Sequence, residues 1–174
     1  MKPAKILFTE DQIQKRVEEI ASNVSRDFIG QELSVVGLLE DSFIFMADLI
    51  RKIEGEVVCY FMKADIDEGE ERVSRIKRIL YSPELDIHDK NVLLVGGVLD
   101  TGITLDYITK HILQGGPRIL KICFLIDKPK VRRISVNPDY AAFVLDNADA
   151  NYLVGYGLGY ENKYRNLCYL GSLK

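Results

Sequence analysis

Asp100-Thr101-Gly102-Ile103-Thr104 places a carboxylate, two hydroxyls and a glycine within five residues. The apolar run Val92–Val95 leads into it through Gly96-Gly97-Val98-Leu99, and Leu105–Leu113 follows with helical spacing. A short continuous apolar run reads as a strand buried on both faces. The loop between the C-terminal end of such a strand and the start of a helix is where an open α/β sheet receives an anion or nucleotide. Gly102 permits the tight turn, and Thr101 and Thr104 set hydroxyls beside the open amides of a helix N-terminus.

The rest of the chain supplies the elements that must hold this loop. Ile6-Leu7-Phe8 reads as an edge strand. Thr9 and Gln12 have capping-box spacing, and Ile13, Val17, Ile20, Ala21 and Val24 give one apolar helix face running to about Phe28, closed by Gly30. Leu33–Leu39 is a second apolar run, and a helix follows from Ser42 to about Ile53. Asp41 or Ser42 can cap that helix, with Glu40 a solvated turn residue. Glu56–Met62 reads as a strand. The charged stretch Asp65–Lys77 reads as a solvated hairpin or flexible loop, and Val73, Ile76 and Ile79 alternate with Arg72, Arg75 and Arg78 as in a strand with one wet face. Tyr81–Asp89 is a polar connection into the central strand. Gly115-Gly116-Pro117 ends the helix after the Asp-Thr-Gly loop, and Arg118–Ile126 is a further strand. Strands alternating with helices predict a parallel central sheet. Residues 130–174 show no long helix and are expected to form a smaller hood, with short strands at 131–136, 141–145, 152–156 and 167–170.

A length of 174 residues suits one domain with a substantial core. A net charge of -3 argues against a broad nucleic-acid-binding surface. Cys59, Cys123 and Cys168 have neither metal-site spacing nor a disulfide pattern. Each lies in an apolar run and is expected as a small buried hydrophobe in a reducing compartment. No signal-peptide pattern opens the sequence and no apolar run is long enough for a bilayer, so a cytoplasmic protein without a membrane partner is expected.

The strand followed by Asp-Thr-Gly-x-Thr resembles the signature of type I phosphoribosyltransferases. Leu125-Ile126-Asp127-Lys128-Pro129, Asn137-Pro138-Asp139-Tyr140 and Tyr152–Leu170 are similar to the hypoxanthine-guanine branch, as is Val35–Ile50. The resemblance spans nearly the whole chain. It implies an α/β, type I phosphoribosyltransferase-like fold: a central, mostly parallel sheet flanked by helices, with a small C-terminal hood. It further implies one domain over 1–174, with a core at about 30–128 and a hood from the N-terminal segment and 129–174. The reaction it implies is displacement of pyrophosphate from phosphoribosyl pyrophosphate by a purine base, with Mg2+.

Carried over residue by residue, Asp100, Thr101, Gly102, Ile103 and Thr104 would cradle the 5′-phosphate, and Asp100 would handle the proton at the purine. Lys128, Tyr152 and Leu153 would hold the base, and Arg165 would stand near pyrophosphate. Each has a plainer alternative: Asp100 as a helix cap, Lys128 as a solvated turn lysine, Tyr152 as core packing and Arg165 as a surface ion pair.

The departures fall on the leaving-group and metal side. Gly96-Gly97 stand where the family has an acidic pair, Gly159 where it has a metal-binding Asp, and Glu40-Asp41 where it has a Lys-Gly turn for pyrophosphate. Ile103 and Asn151 replace frequent lysines, and the lid's Ser-Tyr pair is missing. Removing one positioned electrostatic group commonly costs about 10²–10³ in rate. The expectation is a homologue that binds a purine mononucleotide (GMP or IMP), with transferase activity weak or lost. It is expected as a homodimer or homotetramer, with phosphoribosyl pyrophosphate and Mg2+ engaged only if it is active. The alternatives are a working purine-salvage transferase and a non-binding structural or regulatory subunit.

Overall fold

In a computed structural model, residues 5–68, 74–82, 85–146 and 152–173 are described, those at 64–82 by backbone alone. Six strands form the main sheet: β2 (Leu33–Leu39), β3 (Val57–Glu68), β4 (Ser74–Ser82), β5 (Asn91–Leu99), β6 (Ile119–Asp127) and β7 (Tyr140–Val144). Their spatial order is β4-β3-β2-β5-β6-β7. β3, β2, β5, β6 and β7 run parallel, and β4 pairs antiparallel with β3. The predicted parallel sheet is therefore present, with a hairpin added at one edge. Of the charged stretch Asp65–Lys77, residues 65–68 continue β3 beyond Met62 and residues 74–77 open β4, while 69–73 lie outside the described residues.

Three helices cover the sheet: α1 (Glu10–Asp27), α2 (Phe43–Ile50) and α3 (Ile103–Gln114). The capping box forms as expected, with Thr9 and Gln12 exchanging side-chain and backbone hydrogen bonds. Successive strand residues face opposite layers. Val35, Leu93 and Leu125 pack with Ile13, Val17, Phe45 and Leu49 beneath α1 and α2. Val36, Leu94 and Phe124 pack with Leu105, Ile108 and Ile112 beneath α3. This double-sided burial explains the unbroken apolar runs of the central strands.

A second, three-stranded antiparallel sheet brings the two ends of the chain together. It consists of β1 (Lys5–Phe8), β8 (Tyr152–Val154) and β9 (Leu170–Leu173) in the order β1-β9-β8. Residues 141–145, expected in the hood, instead contribute β7 to the edge of the main sheet. Arg16 fixes this edge by donating to the carbonyls of Ala142 (2.7 Å) and Ala141 (3.1 Å). Residues 131–136 form no strand. A single 3-10 turn at Pro129–Val131 leads into irregular backbone whose Arg133 and Ile134 amides donate to the Thr101 carbonyl. The last strand lies at Leu170–Leu173 rather than 167–170, because pairing with β1 sets its register. Cys123 is buried and Cys59 half-buried, but Cys168 is exposed, contrary to the expectation for all three.

Candidate functional site

β5 ends at Leu99 and α3 starts at Ile103, two residues earlier than its apolar spacing indicates. The turn is thus Asp100-Thr101-Gly102. Gly102 has φ +81°, a left-handed conformation that costs a glycine little. A Cβ there would meet Val136 Cγ2 at 2.7 Å and the Ile134 carbonyl at 3.2 Å, so the returning chain presses on the turn. Asp100 does not cap α3. Its Oδ1 accepts from the Thr101 amide at 2.6 Å, which holds the turn's own backbone. Gly102 occupies the N-cap and offers α3 no side-chain cap, while the Ile103 amide donates to Thr101 Oγ1 at 3.5 Å.

Two cavities meet at Asp100. One, of about 220 Å³, is walled by Asp100, Gly102 and Thr104 on its polar side and by Leu38, Leu105 and Phe124 on its apolar side. The other, of about 170 Å³, is lined by Lys128, Tyr152, Leu153, Leu158 and Tyr160. Asp41, Val98 and Asp100 are common to both. The structure therefore brings Asp100, Gly102 and Thr104 into one chamber and Lys128, Tyr152 and Leu153 into its neighbour. Thr101 in the turn and Ile103 at the start of α3 line neither chamber. Tyr152 is not core packing: it is half exposed and meets Tyr160 edge-on, ring centroids 4.8 Å apart. The Lys128 amide donates to the Leu99 carbonyl at 2.9 Å, anchoring this residue to the end of β5. Asn151 lies outside the described residues.

Each of the three glycines at expected acidic positions is covered by a neighbouring group. A Cβ at Gly96 would lie 2.2 Å from Phe124 Cε1. Phe124 is its register partner on β6 and is only 3% exposed. A Cβ at Gly97 would meet Asp41 Cβ at 2.7 Å and Leu158 Cδ2 at 3.0 Å. A Cβ at Gly159 would meet Arg165 Cγ, Nε and Cζ, each at 2.9 Å. Absent side chains are thus matched by an aromatic ring, a loop and a guanidinium that fill the same space. Phe124 went unnoticed in the sequence, where it reads as one more apolar strand residue. A glycine inside a strand is itself the available signal, because it marks a close approach.

The β2–α2 loop departs from expectation. Ser42 sits at the N-cap of α2 with helical backbone, and its Oγ donates to the Leu38 carbonyl at 2.6 Å instead of accepting from the helix. Asp41 caps nothing and accepts from Arg165, while Glu40 binds Lys63 at 2.8 Å. Hydrogen bonding and charge from Lys63, with a smaller contribution from Arg165, hold the Glu40 carboxyl below its ordinary range. Beside the Asp-Thr-Gly turn, Arg132 is nearly buried in an ion pair with Asp127, and its Nε and Nη1 find no partner.

Magnesium takes oxygen ligands, commonly one or two carboxylates beside substrate phosphates. Among the described residues no three His, Cys, Asp or Glu side chains gather as a metal site. The carboxylates at the chambers are Asp100 and Asp41, and the second already binds Arg165. Side chains would thus offer Mg2+ Asp100 and the Arg165-bound Asp41, with the remaining oxygens left to water and substrate phosphates.

A mostly parallel sheet with a glycine turn at the C-terminal end of its central strand defines an α/β protein of the kind whose ligands sit at that edge. Comparison with known proteins narrows the class. The family described as phosphoribosyl transferase domain matches residues 4–160. The hypoxanthine-guanine phosphoribosyltransferase of Mycobacterium tuberculosis is 33% identical over 174 residues, covering 97% of this chain and 85% of the relative. That of Aquifex aeolicus is 36% identical over 167 residues, covering 95% and 92%. A crystal structure of a hypoxanthine-guanine phosphoribosyltransferase from Bacillus anthracis superposes with a TM-score of 0.87 at 34% identity, covering 100% of both chains. The chain belongs to the type I phosphoribosyltransferase family, in its hypoxanthine-guanine branch. Among the described residues no helix is long and apolar enough to cross a membrane.

Proposed function

We propose that this chain binds a purine nucleoside 5′-monophosphate, GMP or IMP, and that its transferase activity is weak or lost. The single observation that carries the reading is the filling of three expected carboxylate positions. Phe124, Asp41 and Arg165 occupy the space over Gly96, Gly97 and Gly159. A site that merely lacked carboxylates would leave their side-chain positions empty. Here neighbouring groups reach each of those positions, while the chambers beside Gly97 and Gly159 stay open.

The nucleotide-holding side is better preserved. The 5′-phosphate would rest at the start of α3, on the turn amides with the Thr104 hydroxyl, where the helix N-terminus favours an anion. The purine would lie in the adjacent chamber, stacked on the half-exposed Tyr152 ring and within reach of Lys128, with the Leu153 backbone at its edge. Asp100 stands between the chambers, at the proposed proton-handling position. The protein would act in the cytoplasm as a homodimer or homotetramer, sensing or regulating through the bound nucleotide.

Calorimetric titration with GMP and IMP, with adenine nucleotides as controls, tests binding. Saturable heat with a guanine or hypoxanthine nucleotide is the expected result. No heat at millimolar ligand would leave only the structural or regulatory subunit.

A further inference from the structure

Arg165, which lies across Gly159 at the wall of the second chamber, is already engaged by acids from its own chain. Arg165 Nη1 donates to Asp41 Oδ1 and to the Gly157 carbonyl at 2.7 Å. Its Nη2 donates to Glu40 Oε2 at 3.3 Å. Glu40 also accepts from Lys63, so two carboxylates and two cations close into one network. Arg165 is bound on both terminal nitrogens and its side chain is 22% exposed, which separates this cluster from a loose surface pair. The sequence permits the arrangement at two points. Gly159 has no side chain, so the guanidinium lies across it, and Gly97 has none, so Asp41 can settle against β5.

We propose that Glu40 and Asp41 are the resident anions of Arg165 and Lys63, and that they restrict the site to monophosphates by excluding a ligand with a diphosphate group. This rests on the mononucleotide reading and specifies its ligand class. Charge-assisted hydrogen bonds are the strong ones, and the network's partners are tethered in one chain. A diphosphate approaching this rim has to displace both carboxylates from Arg165 while being repelled by them. A monophosphate seated on the turn at Gly102 needs neither step. Rejection by a built-in like charge is a common source of specificity.

The test is calorimetry on the full-length protein with inorganic pyrophosphate and, separately, GMP. The proteins are the wild type, Glu40→Gln/Asp41→Asn, and that pair combined with Arg165→Met. The double variant is expected to gain at least about tenfold in pyrophosphate affinity relative to GMP, and Arg165→Met to abolish the gain. A folded double variant with no relative gain, or a gain that survives Arg165→Met, would overturn the proposal. If the double variant does not fold, Glu40→Gln alone is expected to gain about threefold, since its carboxylate lines neither chamber. No gain there would overturn the proposal equally. Failure of the wild type to bind GMP would refute the mononucleotide reading, and the pyrophosphate comparison judged on absolute affinity would still decide the network's role.

Discussion

Gly96→Ala adds one methyl group at the point where the account is most sharply defined. In an ordinary strand interior this exchange is favourable by about 0.5–1 kcal/mol, because alanine loses less backbone freedom than glycine. Here the new Cβ would lie 2.2, 2.5 and 2.8 Å from three atoms of the Phe124 ring. Carbon atoms pack at about 3.5–4.0 Å, so the ring would have to retreat by more than an ångström. Phe124 is buried against Leu105, Ile108 and Ile112 and walls the chamber of about 220 Å³, so the retreat would disturb that packing or take up chamber space. Overpacking of this kind costs about 1–3 kcal/mol. For a chain of this size each kcal/mol lowers the midpoint by about 2–4 °C, so a fall of about 2–12 °C is expected in thermal denaturation. Phe124→Leu in the same protein should recover much of the loss, with a coupling of about 1 kcal/mol or more in a double-mutant cycle. A neutral or stabilising Gly96→Ala, or effects additive within about 0.5 kcal/mol, would refute the argument that Phe124 owns this space. The same geometry bears on restoring the family's acids. Gly96→Glu, Gly97→Asp and Gly159→Asp together should not raise magnesium-dependent binding of phosphoribosyl pyrophosphate while Phe124 and the Glu40–Asp41 pair stay in place.

Tyr152→Ala should weaken GMP binding by about 5- to 150-fold, the worth of one base–aromatic stack, with little change in melting because the ring is half exposed. Calorimetry and a melting curve on one preparation check both halves. Gly102→Ala forces a side chain into left-handed backbone and against Val136 Cγ2 at 2.7 Å, so it should lower both stability and GMP affinity, read in the same two assays. Burial raises the Asp48 pKa, but hydrogen bonds from Tyr156 (2.6 Å), Gln14 and Arg51 outweigh it and leave it below the ordinary value. The stabilisation from Asp48 is therefore present above the ordinary carboxylate pKa of about 4 and is lost as pH falls through the depressed folded value. The stability gap between wild type and Asp48→Asn should close in acid, measured by denaturant titration between about pH 6 and 2.

The strands buried on both faces were legible because layers of helices on each side remove every polar position from them, as in Val92–Val95. The Thr9–Gln12 box and the turn at Gly102 were legible because each is a local backbone demand met by particular residue types. The side of β7 was not. Tyr140–Val144 is short, and only its pairing with β6 shows that it belongs to the main sheet and not the hood. Glycines at 96, 97 and 159, where the resemblance implies acids, could be read from the chain, but the groups packed over them could not. Phe124 and Asp41 come from other strands and loops and reach Gly96 and Gly97 only on folding, while Arg165 curls back over Gly159 within one loop. Glu40 and Asp41 read as a solvated or capping pair because nothing local announces a partner more than a hundred residues away.

The central claim is that the pocket holds a finished purine nucleotide without making one at a useful rate. Its most direct test is the initial rate of IMP formation from hypoxanthine, phosphoribosyl pyrophosphate and magnesium. The predicted rate lies at least about 10³-fold below an ordinary enzymatic turnover of about 10 per second. Turnover within about tenfold of that ordinary value would contradict the account.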